Sequence, residues 1–570
     1  MQINYLSIRN FRGIRELDWA PKIPMTCLIG PGDSTKTTIL DAIEYALYPH
    51  WTVGFDDSDF YNCDLSKNIE ITISVSHMPK EFYSESGYGE NLRGWSKRDK
   101  QIIDEPLPDC ADDEILLSIK LSVDENLEPE WCITNERLKD KILISHKKRQ
   151  NLGITRIGSE INRHLSWGRD SALTKLSENI KDAGKVLIEA NRLLREKVTF
   201  KDIQGFNNTI KEATESSGKF GVKPVKEFRP NLDSKAISFG FGAISLYDGI
   251  IPLRNFGLGT RKLLTTAIQI KNTTDGAIFL IDEIENGLEP YRIRGFLRNI
   301  KQFINNGHAI FTSHSPISVV ELGAEHLTIV RNIEGKTICL EPSLAINGTI
   351  RLAPEALLSK RVIVCEGATE YGILIALENY WTKFEDTTSF AYNGVSTVDG
   401  HGSTFEEVTI NLKRLMYETA AFVDSDTGDH DRKVKNLSSE GIKLIDWGGR
   451  KCLEDQVFCD LPWESLPILI ELAAKLSESN LTSLYVAIRD RLSNGSLCTE
   501  DDISIWRSRG ITEEEIRSKI ATVASKKGWF KTVSKGIELG EVICKYYTSI
   551  EKTRLREVIE DIKKWVYAET

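Results

Sequence analysis

Two short apolar runs end in carboxylates that could share a divalent ion. Arg361-Val362-Ile363-Val364-Cys365 leads into Glu366, with Glu370 one helical turn on, and Ala420-Ala421-Phe422-Val423 leads into Asp424 and Asp426. Both runs read as buried parallel strands, and carboxylates at such strand ends point into the crevice where α/β proteins bind ligands. Alternation along extended backbone puts Asp424 and Asp426 on one side of the chain. Grouped acids with no basic residue between them repel unless a cation neutralises them, which implies Mg²⁺ or Mn²⁺ here. A solvated Asp-Ser-Asp turn and a helix-capping Glu366 are the alternative for either fragment alone.

A second constellation has the parts of a nucleotide site. Gly30-Pro31-Gly32-Asp33-Ser34-Thr35-Lys36-Thr37-Thr38 joins an apolar strand to an amphipathic helix carrying Ile39, Leu40, Ile43 and Leu47. Gly30, Gly32, Asp33, Ser34, Thr35 and Thr38 would cradle phosphates with Lys36 on the β/γ oxygens, and Thr37 would hold Mg²⁺. Thr35 stands where the GxxxxGK[ST] pattern has its second glycine. Ala277-Ile278-Phe279-Leu280-Ile281 then ends in Asp282, a Mg²⁺ residue, and Glu283, placed to polarise the attacking water. Ala309-Ile310-Phe311-Thr312 is followed by His314, near the position of a γ-phosphate. Together these elements call for ATP.

The elements that must position these residues fit a chain of 570 residues, which at roughly 150 residues per domain makes three to four units. Acidic residues number 83 against 73 basic ones, for a net charge of −10, which excludes a uniformly basic coating protein but not a local nucleic-acid stripe. The expected division is 1–80 and 233–350 for a split ATPase head. The insertion at 81–232 is partly helical, either a dimerisation element or a solvated lobe. An α/β domain follows at 351–462, then a helical region at 463–570, where Thr512 and Glu515 resemble a capping box. No secretory layout opens the chain, no run of roughly 18 apolar residues occurs, and the 10 cysteines are scattered without zinc spacing. A cytoplasmic protein without a membrane partner is expected.

IRNFRGI near the start, the loop at Gly30 to Thr37, FLIDEIENGLEP and FTSHSP together resemble an ABC-type ATPase head of the RecF/SMC/OLD kind. That resemblance assigns Gly257-Leu258-Gly259-Thr260-Arg261 to the signature segment, with Gly257 and Gly259 closing on a partner subunit's nucleotide, and so implies a homodimer or higher. The segment lacks the usual Ser-Gly-Gly, and no Q-loop glutamine is evident. Glu366, Gly367 and Glu370 followed by Asp424-Ser425-Asp426 resemble a TOPRIM domain, a Rossmann-like catalytic fold. An ABC-type head with a helical insertion, a TOPRIM domain and C-terminal helices is the layout of the OLD (overcoming lysogenization defect) nucleases. This likeness implies two-metal DNA cleavage, with Glu366, Glu370 and Asp424 around one ion. Asp426 would serve the other, with Glu454 or Asp455. Lys531 is the candidate for the family's late, transition-state lysine, although lysines there are more often solvated. His401 and His430 are set aside as non-ligands. Relatives of this layout act in anti-phage defence, some with a helicase or with a retron reverse transcriptase and its RNA–DNA product. Two other readings stay open: a non-cleaving RecF/SMC-like DNA-binding ATPase, and a topoisomerase or primase.

Overall fold

The apolar runs picked out in the sequence form the inner strands of two units. The computed structural model describes all residues except 85–86, 106–113, 138–141, 159–160, 170, 178–180, 199, 201, 221, 223, 231–239, 274–275, 305–306, 426–427, 494, 496–497 and 569–570. One unit comprises Met1–Phe11, Ala20–Met25 and Ile39–Thr312, and the other Arg12–Trp19, Thr26–Thr38 and Ser313–Thr570.

In the first unit the wholly buried strand Ile278–Ile281 lies between Ile154–Ile157 and His308–Thr312, both parallel to it. Its Ile-Phe-Leu-Ile sequence suits a strand covered on both faces. An antiparallel set accompanies it: Ile69–Ser76 pairs with Gln2–Phe11 and Glu114–Val123, and the last also pairs with Pro129–Ile133. Alternate residues Ile69, Ile71, Ile73, Leu117, Ile119 and Leu121 are fully buried. The segment from 81 onward, expected to be partly helical with helices near 171–197, carries strands first. Up to Ile157 its regular elements are mainly strands, Glu114–Val123 the longest, and the longer helices follow at Lys181–Lys197 and Gln204–Lys219. Val186, Ile188 and Leu193 on the first of these helices are exposed.

In the second unit, Leu327–Ile329 pairs in parallel with Cys27–Ile29, the strand that feeds the glycine-containing loop. A separate parallel sheet runs in the order Val395–Asp399, Arg361–Cys365, Glu418–Val423, Lys443–Asp446. After Lys443–Asp446 the regular elements among the described residues are helices, which pack with Ala368–Phe384 around fully buried Trp381, Trp506, Trp529, Phe458 and Phe530. The Thr512 hydroxyl accepts from Glu515 N–H and starts the helix Glu513–Lys527, but the reciprocal half of the expected capping box does not form, because the Glu515 carboxylate accepts from the Ser493 N–H and hydroxyl instead.

Helix Ala368–Phe384 meets helix Val533–Lys545 at backbone distance, because a Cβ on Gly372 would lie 2.4 Å from the Val533 carbonyl oxygen. Gly372→Ala should therefore lower unfolding stability by about 2 kcal/mol. Gly205→Ala is the control: Gly205 sits in the helix Gln204–Lys219 with nothing within 4 Å of an added Cβ, and should be neutral or stabilising in the same denaturant melt. Among the described residues no helix is long and apolar enough to cross a membrane.

Candidate functional site

The strands of the parallel sheet in the second unit deliver acids from their carboxyl ends. Glu366 follows Arg361–Cys365, Asp424 follows Glu418–Val423, and Asp399 closes Val395–Asp399. Glu370 is buried in the first turn of Ala368–Phe384, and buried Glu454 sits in the first turn of Leu453–Asp460. These five acids and Lys531 line one cleft of about 480 Å³. Lys531 is brought there by packing: the Thr369 hydroxyl donates to the Phe530 carbonyl at 2.9 Å, next to the Gly372 crossing. Asp426 lies outside the described residues.

Hydrogen bonds fix the acids. Asp424 N–H donates to Glu366 Oε2 at 3.0 Å, and Asp424 Oδ1 accepts from Trp447 Nε1 at 3.1 Å and Leu453 N–H at 3.0 Å. The Trp447 ring also makes an edge contact with Phe422, two residues before Asp424, which holds the indole in place beside that carboxylate. Lys433 Nζ donates to Glu366 Oε1 at 2.9 Å, with only 13% of each side chain exposed. Lys433 is partly buried, which opposes its charge, yet Glu366 and Asp429 raise its pKa and keep the ammonium charged. The sequence reading of acids without a cation among them missed this lysine. Only its helical position, on the face of His430–Ser439 turned to Glu366, could have signalled it. His401, set aside as a non-ligand, also lines the cleft, and His430 Nδ1 lies 3.1 Å from the Asp424 carbonyl oxygen.

Burial, reinforced by the charges of Glu454, Glu366 and Asp399, pushes the Glu370 carboxyl up to about 7. Among the described residues no three His, Cys, Asp or Glu side chains converge closely enough to enclose an ion. The donor set still has the chemistry a hard divalent cation takes: several carboxylates on one cleft, one of them destabilised as an anion until a cation arrives. Glu370 sets a sign for this linkage. Its folded pKa is raised, so its contribution to stability is present below its ordinary 4.5 and lost as pH rises through about 7. A divalent ion held by Glu370 would reverse that loss. Mg²⁺ or Mn²⁺ affinity should therefore climb about tenfold per pH unit below 7 and flatten above it. Calorimetry in buffers of different ionisation enthalpy should detect about one proton released near pH 6 and almost none near pH 8.

The other candidate residues also follow strand ends. In the loop after Met25–Ile29, Lys36 is buried and its Nζ donates to Gly30 O at 3.2 Å, Pro31 O at 2.7 Å and Ser34 Oγ at 3.0 Å. Thr37 and Gly32 are exposed, and Thr38 is half-buried. Asp33 and Thr35 have φ of 57° and 66°. The φ of Thr35 is the conformation that the pattern's glycine adopts without strain, here imposed on a β-branched residue. Its hydroxyl, 3.0 Å from the Thr337 hydroxyl, helps to hold it there.

After Ile278–Ile281, Asp282 Oδ1 accepts from Thr312 Oγ1 at 2.6 Å and Oδ2 from Arg156 Nη2 at 3.1 Å. Glu283 is exposed and has φ 45°, with its N–H donating to Thr312 Oγ1 at 2.8 Å and its carbonyl accepting from Lys262 Nζ at 2.7 Å. Sequence reasoning missed both Lys262 and Arg156. Gly257 caps the helix Leu258–Lys271, and a Cβ on Gly259 would lie 2.2 Å from the Gly287 carbonyl oxygen. Gly259 thus has a packing role in its own chain. His314 is exposed beyond His308–Thr312.

Two family models match: "AAA ATPase domain" over residues 1–167 and "AAA domain, putative AbiEii toxin, Type IV TA system" over residues 135–320. An OLD nuclease of Thermus scotoductus is 39% identical over 71 residues, which span 12% of this chain and 13% of that relative. Among solved structures, an SMC head bound to the C-winged helix domain of ScpA matches with TM-score 0.35 at 13% identity, covering 60% of this chain and 98% of that one. RecF with ATP matches with TM-score 0.33 at 13% identity, over 60% and 99% of the two chains. The chain is thus similar to AAA-type ATPase domains over residues 1–320, with the glycine-containing loop in the first matched region and the Asp282-Glu283 strand end in the second.

Proposed function

We propose that the protein is an ATP-regulated, divalent-metal-dependent DNA endonuclease, with an OLD-type ATPase head and a TOPRIM-type nuclease domain. The observation that carries this reading is the cleft of Glu366, Glu370, Asp399, Asp424 and Glu454, with Lys531 on its rim, at the carboxyl ends of parallel strands. A clamp that only binds DNA has no use for such a group of acids. Glu366, Glu370 and Asp424 would hold one ion, with Asp426 and Glu454 serving a second. When bound, Mg²⁺ or Mn²⁺ would lower the pKa of water and offset charge on the leaving oxygen. Lys531 would place its ammonium beside the phosphate, where charge builds in the transition state. Trp447 Nε1 and the Leu453 N–H both donate to Asp424 Oδ1 and orient its carboxylate.

In the ATPase head, Lys36 would exchange its loop carbonyls for phosphate oxygens, Thr37 and Asp282 would serve the nucleotide's Mg²⁺, and Glu283 would accept a proton from attacking water. The same reading includes a homodimer joined through the signature segment around Gly257, and a role in anti-phage defence. A reverse transcriptase or a helicase is the partner to seek. Product chemistry tests the nuclease reading against a topoisomerase. Cleaved DNA should carry free 5′-phosphate and 3′-hydroxyl ends and no protein. A covalent tyrosine–DNA adduct that religates would refute hydrolysis.

A further inference from the structure

Arg156 belongs to none of the motifs above, yet it joins three carboxylates near the Asp282-Glu283 strand end. It sits on Ile154–Ile157, opposite Leu280 in the parallel pairing with Ile278–Ile281. Only 11% of its side chain is exposed. Nη1 lies 3.2 Å from Asp41 Oδ1 and 3.5 Å from Glu44 Oε2, both on the helix Lys36–Ala46. Nη2 lies 3.1 Å from Asp282 Oδ2. The other oxygen of Asp282 accepts from Thr312, so each of the two strands flanking Ile278–Ile281 holds one oxygen of that carboxylate.

From this geometry we infer that Arg156 is a positioning residue for ATP hydrolysis, a built-in cation that ties Asp282 to the acidic side of the phosphate-loop helix. The inference rests on the reading of Asp282 and Glu283 as the hydrolytic acids. A planar guanidinium can engage carboxylates on two sides at once, which a lysine ammonium does with less geometric control. Without it, Asp41, Glu44 and Asp282 face one another as like charges with little water to screen them, and Asp282 is pushed away. The displacement reaches Glu283 through one hydroxyl. Thr312 Oγ1 donates to Asp282 and accepts from the Glu283 N–H, so a swing of Asp282 pulls on the backbone that aims the catalytic carboxylate. The predicted defect is in turnover, because a small misplacement at the reacting atoms costs rate before it costs binding.

The test compares full-length wild type, Arg156→Met, Arg156→Lys and the double variant Arg156→Met/Glu44→Gln, by steady-state ATP hydrolysis and thermal melting. The double variant removes one of the repelling acids and so protects the fold. Both Met variants should lose about tenfold or more in kcat with KM for MgATP changed less than about threefold, and Arg156→Lys should recover part of the rate. If the double variant melts like wild type and hydrolyses ATP at the wild-type rate, Arg156 is a stabilising ion pair only and the inference is overturned. If neither Met variant folds, Arg156→Lys decides: a lower kcat at unchanged melting temperature supports the role, and a wild-type kcat refutes it. Absence of ATP turnover in wild type would overturn the ATPase reading and this inference together, an outcome distinct from the others.

Discussion

Asp424→Ala should abolish cleavage of supercoiled DNA, with a loss on the order of 10³-fold, and leave ATP hydrolysis within about twofold of wild type. The carboxylate directly follows Glu418–Val423, and its side chain anchors the Trp447 indole and the Leu453 N–H as well as lining the cleft. Removing it strands two donors, so Asp424→Ala carries a stability cost of its own. Asp424→Asn separates the two effects. Its amide oxygen can accept from both donors while the negative charge is gone, so the fold should be kept and cleavage still lost. Cleavage that survives in Asp424→Asn at the wild-type rate would remove Asp424 from the metal site.

The second large effect belongs to the ATPase head. Glu283→Gln should slow ATP hydrolysis by about 10²–10³-fold while nucleotide still binds, so that ATP accumulates on the protein. The backbone at this position is clamped independently of the side chain, by Thr312 on the N–H and Lys262 on the carbonyl. Glutamine can adopt the same φ of 45° as the glutamate it replaces, so binding geometry should persist while the proton acceptor is lost. Rapid filtration with labelled ATP distinguishes trapped nucleotide from failed binding. Unchanged turnover would show that Glu283 is not the acceptor.

What the sequence revealed follows from how the residues are held. Glu366, Asp424 and Asp282 end apolar runs that can only be buried strands, so both their existence and their direction were legible. Glu370 followed from helical spacing, and the helix starts at Lys36 and Thr512 followed from local chemistry. The residues that escaped are those whose partners lie far along the chain. Lys433 reaches Glu366 from a later helix, Trp447 reaches Asp424 from the next strand, and Arg156 is one polar residue in a short strand whose meaning appears only beside Asp41, Glu44 and Asp282. The strand Glu114–Val123 escaped for another reason. Its apolar residues occupy both faces over part of its length, with Leu116 and Leu117 both fully buried, so neither a two-residue nor a helical period stands out. Lys531 was legible only through family resemblance, and the structure supplies the physical cause of its position in the Gly372 helix crossing and the Thr369–Phe530 hydrogen bond.

The central claim is that the carboxylate cleft makes this ATPase a metal-dependent DNA nuclease. Its most direct test incubates purified wild-type protein with supercoiled plasmid and Mg²⁺ or Mn²⁺, without nucleotide and with ATP, ADP and a non-hydrolysable ATP analogue. The account predicts nicked or linear product in at least one nucleotide state, abolished by EDTA and absent with Asp424→Asn. Plasmid that stays supercoiled with both metals in every nucleotide state would contradict it.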